Sequence, residues 1–282
     1  MFARFAQSWS LIKASASVLR SDKELLLFPL LSAIASMVVA ASFIVPAVLG
    51  GAVTTLGDGG HVSPTLYLGL FAFYVVQYFV IIFFNTALVG AAMIRLRGGD
   101  PTVADGFRIA LSKLPAILGY AVISATVGVL LRALQERAGF IGRYVVGLIG
   151  LAWTVASFLV VPVLANHDVG PIDAVKRSAE LLKKTWGENL IGNTGIGLVF
   201  GFIVFATVLV GGGLIVLAAT TKTVALIVAA ALLVGVAVLM LVLVQAALQG
   251  IYSAALYRYA AEGDAGSAFQ SALVADAFRV KA

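Results

Sequence analysis

The sequence predicts an all-α membrane protein: a polytopic bundle of six transmembrane helices, with amphipathic helices at one membrane surface. Three observations predict this fold. The 282-residue chain is 61% hydrophobic and only 11% charged, whereas a soluble globular domain carries about 25% charged residues. Its apolar residues are gathered into six stretches that contain no Asp, Glu, Lys or Arg. Several segments between these stretches are basic and have apolar residues at helical spacing.

Each charge-free stretch is close to or above the length that crosses a bilayer. The hydrocarbon core is about 30 Å thick, so a membrane-spanning helix needs about 20 apolar residues. The stretches cover residues 25–57, 59–94, 114–131, 144–167, 189–221 and 223–257. The first is longer than the apolar region of a cleaved signal peptide, so Met1 is interpreted as the mature start. Pro162, near the end of the fourth stretch, is a candidate for a kink.

The basic residues predict the orientation of the six spans. An even number of crossings places both termini on one side, and 15 of the 19 Lys and Arg residues fall on that side. The opposite side receives Arg132, Arg137, Arg143 and Lys222. Because cytoplasmic loops carry the excess of Lys and Arg, both termini are expected in the cytoplasm.

Three segments on the basic side have the pattern of amphipathic helices. Their apolar positions, three or four residues apart, are Phe2, Phe5, Trp9, Ile12, Ala16 and Leu19, then Val103, Phe107, Leu111 and Leu114, then Ile172, Val175, Ala179, Leu182 and Trp186. Asp100-Pro101 is the predicted start of the second segment and Pro171 that of the third. Such helices either pack over the ends of the spans or lie among lipid headgroups.

Each amphipathic segment precedes two spans, so the single membrane domain, 1–282, divides into repeat units 1–97, 98–167 and 168–264, followed by a cytoplasmic tail, 265–282. Two short echoes support this division. The second span ends in AAMIRLRGGD (91–100) and the sixth in AALYRYAAEGD (254–264). Units that begin on the same side and cross twice are parallel repeats, which occur in transporters and also in structural bundles.

Four strings together resemble a known family. They are RSDKELLLFPLLS (20–32), RLRGGDPTVADGF (95–107), GPIDAVKRSAELLKKTW (170–186) and AALYRYAAEG (254–263). In this order they are similar to an uncharacterised family of bacterial six-helix membrane proteins, which implies a bacterial inner-membrane location and no particular reaction. The segment 176–190 is also similar to an element in the membrane domains of glycerophosphodiester phosphodiesterases. The hydrolase domain of those enzymes has no counterpart here, so no activity is implied.

Uncharged polar residues inside the spans are the candidates for a polar lining. They are Gln77, Asn85, Thr86, Asn189, Asn193, Gln245 and Gln249. Intramembrane polar residues are functional candidates by default, but they also serve as hydrogen bonds between helices. Proton-coupled pumps use intramembrane acids, histidines or arginines, and the middle of each span has none, which disfavours such a pump.

Basic residues at the predicted cytoplasmic surface are the candidate contacts for anionic lipid headgroups. They are Arg95, Arg108, Lys113, Lys176, Arg177, Lys183, Lys184 and Arg258. Arg95 and Arg258 hold equivalent places in the two echoes, and either membrane anchoring or phosphate binding suits them. The string Asn166-His167-Asp168 indicates a polar turn at the membrane surface. The glycines at 197, 201 and 211–213 predict close helix packing.

No reaction follows from these residues. The chain has no cysteine and only two histidines, and it lacks the phosphate-loop, zinc-protease and nucleophile-elbow motifs. We therefore expect a protein that is not an enzyme, has no cofactor or metal, and does not bind nucleic acid. Two functions stay open: a passive channel or facilitator formed by a homo-oligomer, and a membrane scaffold or lipid-interacting protein that acts through its basic amphipathic helices.

Overall fold

A computed structural model describes residues 2–50, 64–186, 195–266 and 269. Every regular element in this part of the chain is helical, which confirms the all-α prediction. The helices are α1 (Phe2–Ser21), α2 (Leu27–Leu49), α3 (Pro64–Leu96), α4 (Val103–Ser112), α5 (Leu114–Arg137), α6 (Phe140–Ser157), α7 (Val160–Asn166), α8 (Pro171–Trp186), α9 (Gly195–Thr220) and α10 (Val224–Glu262). A 3₁₀ turn, Lys23–Leu26, joins α1 to α2.

The described residues contain six helical segments long and apolar enough to cross a membrane, as the sequence predicts. They are Lys23–Leu49, Leu66–Leu96, Leu114–Arg137, Phe140–Asn166, Val199–Thr220 and Val224–Glu262. The main difference is at the third, because the prediction ended it at residue 131, before Arg132, whereas α5 continues to Arg137. The predicted end of the first span and the predicted starts of the second and fifth spans lie outside the described residues.

The fourth span is broken where the sequence places Pro162. The helix α6 ends at Ser157 and α7 begins at Val160, so Phe158 and Leu159 form the break. Proline has no N–H to bond the carbonyl four residues earlier, which here belongs to Phe158. At this break the buried Leu159 N–H donates to a side chain of another helix, Ser178 Oγ of α8, at 3.0 Å.

The amphipathic segments form α1, α4 and α8, each followed by two spans. The prediction that Pro171 opens the third is confirmed. The predicted start at Asp100-Pro101 is wrong, because the N-cap of α4 is Thr102. Its hydroxyl accepts from the Asp105 N–H at 3.2 Å, while the Asp105 carboxylate accepts from the Thr102 N–H at 3.0 Å. This reciprocal capping box satisfies two backbone donors that Asp100 leaves unpaired.

The helix α3 lies at the centre of the bundle and packs against α2, α4, α5, α7 and α10. Its buried residues lie toward its C-terminus, from Ile82 to Leu96. We call the end of the bundle where the C-termini of α3 and α10 meet α1, α4 and α8 the basic end. The opposite end, where α5 turns into α6 and α9 into α10, is the hairpin end. The hydrophobic core belongs to the basic end.

Candidate functional site

The two longest helices extend beyond a bilayer at the basic end. The 39-residue α10 is about 58 Å long at 1.5 Å per residue, nearly twice the hydrocarbon thickness of about 30 Å. Counted from Val224 at the hairpin end, about 20 residues reach Gln245. The same count along α3 from Leu66 reaches Asn85 and Thr86. Asn85, Thr86 and Gln245 therefore lie at one level, near the border between hydrocarbon and the basic end.

Beyond that level, Arg258 is the centre of a polar network. Its side chain is only 9% exposed, although arginine is among the residues rarely buried. Its Nε atom donates to Glu262 at 3.2 Å, Nη2 donates to Asp264 at 3.1 Å, and Nη1 donates to the backbone carbonyl of Leu96 in α3. Because all three nitrogens have protein partners, this guanidinium fixes the end of α10 to the end of α3.

The segment after α10 contacts the Arg258 guanidinium. Gly263 caps the helix in the left-handed conformation, with φ of +77°. Gly266 also has a positive φ, +90°, and a Cβ there would lie 2.8 Å from the Leu96 carbonyl oxygen. Ala265 and Phe269 are buried in the core. Packing thus continues past residue 265, where the sequence places the start of the tail; residues 270–282 lie outside the described part.

Arg97 joins three helices at the same end. Its Nη2 atom lies 2.8 Å from the Glu262 carboxylate of α10 and 3.5 Å from Oδ1 of Asn166 at the end of α7. Glu262 therefore accepts from both Arg97 and Arg258. A carboxylate shared between two guanidiniums orders both of them, which makes this cluster more rigid than two separate ion pairs.

Arg95 forms the matching contacts for the other echo. Its Nη1 atom donates to Asp100 at 3.2 Å, five residues on, as Arg258 donates to Asp264, six residues on. Gly98 lies between them with φ of +87°. The two echoes thus share an arginine near the C-terminus of a helix, a left-handed glycine and an aspartate that pairs with the arginine.

Arg95 also reaches the N-terminal part of the chain. Its Nε atom lies 3.0 Å from Asp22, just before the 3₁₀ turn, without the alignment of a hydrogen bond. Asp22 is buried, and burial raises the pKa of its carboxyl above the usual value despite the attraction of Arg95. The Asp22 carboxylate, whose burial is offset in part by the charge of Arg95, joins the junction of α1 and α2 to α3.

The turn at Asn166-His167-Asp168 ties α7 to its neighbours. His167 Nε2 lies 2.6 Å from the Tyr257 hydroxyl of α10, and Asp168 forms an ion pair with Lys113 at the start of α5. Burial, with the positive charges of Arg177 and Lys113, lowers the pKa of His167 below its usual value. The hydrogen bond and charge of Lys113 lower the pKa of Asp168. The sequence predicted a polar turn here but not these partners.

The amphipathic helices bury one side and leave an outer rim. The buried positions are Leu11, Ile12, Val18 and Leu19 on α1, Gly106 and Ala110 on α4, and Ala174, Ser178 and Leu182 on α8. Three large apolar residues of the predicted stripes, Trp9, Leu111 and Ile172, are instead 44%, 53% and 60% exposed. The buried faces therefore include some residues of the predicted stripes, such as Ile12, Leu19 and Leu182, but leave these three outside.

Each exposed apolar residue has an exposed basic residue three or four positions away. Lys13 follows Trp9, and its Nζ atom lies 5.9 Å from the indole ring. Arg108 precedes Leu111, and Lys176 follows Ile172; their side chains are 78% and 68% exposed. Both have only a local ion pair, with Asp105 and Asp173. We call these three apolar–basic pairs the interfacial rim.

The other basic candidates lie either on α8 beside the rim or in contacts within the protein. Arg177 and Lys183 are exposed on α8, and Lys184 is on the same helix with its side chain outside the described part. Lys113, by contrast, is only 13% exposed at its side chain and is paired with Asp168. Together with Arg95 and Arg258 it belongs to the contacts within the protein.

The candidate lining residues differ in their surroundings. Thr86 is fully buried and donates to the Ile82 carbonyl of its own helix at 2.8 Å. Asn85 and Gln245 are partly exposed, and Gln249 is exposed beside Gly197 of α9. The Gln77 Oε1 atom is buried with no hydrogen-bond partner. Asn189 and Asn193 lie outside the described residues. No group of three or more His, Asp or Glu in the described part could hold a metal ion.

The predicted glycine packing is correct at one position of the triplet. A Cβ at Gly211 would lie 2.6 Å from Val234 of α10, so this glycine allows α9 and α10 to pack closely. A Cβ at Gly212, Gly213 or Gly201 would meet open space. The GxxxG spacing of 197 and 201 therefore does not mark a close contact in this chain.

Residues 64–268 match the model of a family of unknown function (DUF6159). The chain belongs to this family. The match covers α3 to α10, including the complete network around Arg258, whereas α1 and α2 lie outside it. No curated protein and no solved structure matches the chain. The similarity of 176–190 to the membrane domains of glycerophosphodiester phosphodiesterases thus has no support from these comparisons and stays a prediction.

Proposed function

We propose that the protein binds anionic lipid headgroups at its basic end through the interfacial rim of α1, α4 and α8, without catalysing a reaction. The observation that carries this proposal is the pairing of Trp9 with Lys13, Leu111 with Arg108, and Ile172 with Lys176. An exposed apolar side chain beside a basic one suits the membrane interface, where the first enters the acyl boundary and the second contacts phosphate. The network around Arg258 supports the rim indirectly, because it fixes α3 to α10, and α4 packs on α3 while α1 and α8 pack on α10.

The proposed site faces the cytoplasmic leaflet of a bacterial inner membrane. The excess of Lys and Arg at the basic end supports this orientation. The cytoplasmic leaflet is rich in anionic lipids, and each basic residue near such a surface contributes about 1 kcal/mol of attraction. The basic rim and the proposed cytoplasmic orientation are thus consistent with each other. The orientation is tested separately by labelling a tag added at the N-terminus from either side of the membrane, and we expect labelling from the cytoplasmic side.

Trp9 provides a direct test. The double variant Trp153→Phe, Trp186→Phe leaves Trp9 as the single tryptophan, since the chain has three. The variant is placed in bilayers with a minor fraction of brominated phosphatidylglycerol or, in a matched set, brominated phosphatidylcholine, and tryptophan quenching is measured. We expect stronger quenching by the anionic lipid, and a loss of up to about fivefold in that preference when Lys13→Gln is added.

Arg143→Gln is the matched control, because Arg143 is exposed at the hairpin end. It should leave the lipid preference unchanged. Leu111→Trp in a background without other tryptophans gives the same measurement at α4, with Arg108→Gln as its partner variant. Equal quenching by the two lipids at both positions would contradict the proposal.

A second candidate is a passive channel or facilitator formed by a homo-oligomer. The unpartnered Oε1 atom of Gln77 and the partly exposed amides of Asn85 and Gln245 favour it. Against it, the hydroxyls of Thr86, Thr126, Thr154, Ser157 and Thr207 bond to carbonyls of their own helices. Solute flux into liposomes tests this candidate, and flux equal to that of empty vesicles across a broad panel would exclude it.

A further inference from the structure

Arg177 of α8 is a charged residue that the contacts within the protein do not use. It is exposed, and no hydrogen bond or ion pair joins its guanidinium to another of the described residues. Asp173, one turn earlier on α8, pairs instead with Lys176. A guanidinium has five N–H donors in a planar fork, a geometry that suits two oxygens of one anion. Arg177 therefore keeps all of these donors available at the surface.

The Tyr257 hydroxyl of α10 marks the place where Arg177 approaches other helices. His167 Nε2 lies 2.6 Å from this hydroxyl, and the positive charges of Arg177 and Arg97 both act on it. Arg97 Nη2 also lies 3.5 Å from Oδ1 of Asn166, the residue before His167. Two guanidiniums, one from α8 and one from the end of α3, thus lie close to the turn after α7.

The acids around this turn are already paired, which leaves a surplus of positive charge. Glu262 accepts from both Arg97 and Arg258, and Asp168 pairs with Lys113. The Arg97 side chain is still half-exposed. Because these carboxylates are engaged with other cations, the unpaired guanidinium of α8 is not neutralised within the described part of the chain. An anion from outside the protein is the partner that it lacks.

His167 makes this cluster sensitive to pH. Burial and the positive charges of Arg177 and Lys113 hold the pKa of His167 below its usual value, while Asp168 acts in the other direction. The Nε2 atom is engaged with Tyr257, whereas Nδ1 has no hydrogen-bond partner among the described residues. An anion beside Arg177 offsets the positive charges and so favours the protonated imidazole, whose Nδ1–H is then a further donor.

We propose that Arg177, Arg97 and His167 form a binding site for one phosphate group, and that His167 takes up a proton when the phosphate binds. Donors from α8, from the end of α3 and from the turn after α7 suit the separate oxygens of a tetrahedral anion better than a planar carboxylate. The phosphate belongs either to a lipid headgroup or to a soluble phosphate ester. None of these three residues belongs to the interfacial rim, so the site does not rest on the lipid role proposed for the rim.

The pKa of His167 gives a direct measure of binding. His61→Gln leaves His167 as the single histidine, since the chain has two, and its imidazole is followed by NMR of histidine-labelled protein. The protein is held in maltoside micelles, which contain no phosphate, and sulfate is added at constant ionic strength. The charge of sulfate is constant where histidine titrates, at about pH 5 to pH 8. We expect sulfate to raise the pKa of His167 and, by linkage, to bind up to about tenfold tighter as the pH falls.

Two variants and a control assign this effect to the site. Arg177→Gln should raise the pKa of His167 without sulfate, because a nearby positive charge is lost, and should weaken sulfate binding at least about tenfold. His167→Gln should still bind sulfate, but with an affinity in calorimetry that no longer depends on pH. Arg143→Gln is the matched control, because Arg143 is an exposed arginine of the hairpin end, and it should change neither quantity.

Nanodiscs of phosphatidylglycerol identify the source of the phosphate. A headgroup in the site should raise the pKa of His167 between micelle and nanodisc without any sulfate, and by more than in Arg177→Gln. The comparison with this variant is needed because the negative surface potential of an anionic bilayer acts on every group near it. An equal rise in both proteins, with sulfate still bound in micelles, would identify a soluble phosphate ester as the ligand.

Three results would overturn the proposal. Sulfate might be added without any change in the pKa of His167, or it might bind Arg177→Gln as tightly as the unchanged protein; either result would mean that there is no such site. A pH dependence of sulfate binding that survives His167→Gln would mean that the proton goes to another group. Tryptophan quenching at the rim does not involve Arg177, so either proposal can fail while the other holds.

Discussion

The two ends of the bundle solve different packing problems. At the basic end, Leu88, Ile117 and Leu256 are fully buried by other helices. At the hairpin end, Phe140, Leu217 and Leu233 are 77%, 65% and 66% exposed. Lipid tails are as apolar as these side chains, so burying them against another helix gains little. The difference teaches that protein contacts hold the basic end together, while the hairpin end relies on lipid and a few polar or glycine contacts.

The same difference separates the ion pairs. Arg258 has one partner on a neighbouring helix and two near its own, and its side chain is almost buried. Arg132 pairs with Glu136 on its own helix, and both side chains are about two-thirds exposed. Buried charges depend on their partners far more than exposed ones, because water cannot replace a missing partner. The comparison therefore predicts unequal effects of equivalent substitutions at the two ends.

The largest effect is expected from Arg258→Ala. It leaves Glu262, Asp264 and the Leu96 carbonyl without their shared donor, and removal of one member of a buried network costs about 3–5 kcal/mol. Arg132→Ala is the matched control and should cost about 0.5 kcal/mol or less. Unfolding by titration with denaturing detergent measures both variants. Equal losses would mean that the network at the basic end does not stabilise the bundle.

A smaller effect of opposite sign at the two ends is expected for glycine-to-alanine changes. A Cβ at Gly106 of α4 would lie 2.8 Å from the Ala87 carbonyl oxygen and would also clash with Phe28. Gly106→Ala should therefore destabilise by about 1–3 kcal/mol through overpacking. Gly212 of α9 has open space at that position, so Gly212→Ala should stabilise by up to about 1 kcal/mol. Thermal unfolding in detergent micelles gives both signs, and a loss at Gly212 would reveal a partner on that face.

The fold was largely predictable from the sequence because span length and charge position are local properties. The end of the third span was harder to predict, because a charged residue does not always end a helix. A charged residue was taken as the end of the third span, so Arg132 was assigned to a loop. The helix continues to Arg137, and Tyr120, Ser124, Gly128 and Arg132 then share one face. A long side chain near a helix end can keep its charge at the surface while its backbone stays helical.

The network was predictable only in part. The two echoes marked Arg95 and Arg258 with their aspartates, but not the Leu96 carbonyl, Asp22 or Glu262 as further partners. Those contacts join residues far apart in sequence, and no periodic pattern records them. The buried faces of the amphipathic helices differ in part from the predicted stripes for the same reason. Small residues such as Ala174 and Ser178 are buried because neighbouring helices approach there, which spacing alone does not show.

The smallest effect is a change of stability with pH that depends on His167. The folded state lowers the pKa of His167 below its usual value of about 6.5. When the pH is lowered below about 6.5, the unfolded chain therefore binds more protons than the folded chain, and the free energy of unfolding decreases until the pH reaches the lowered pKa. Above pH 6.5 His167 contributes no dependence. His167→Gln should flatten the profile of thermal unfolding below about pH 6.5. A profile unchanged by His167→Gln would mean that protonation of His167 is not coupled to the stability of the fold.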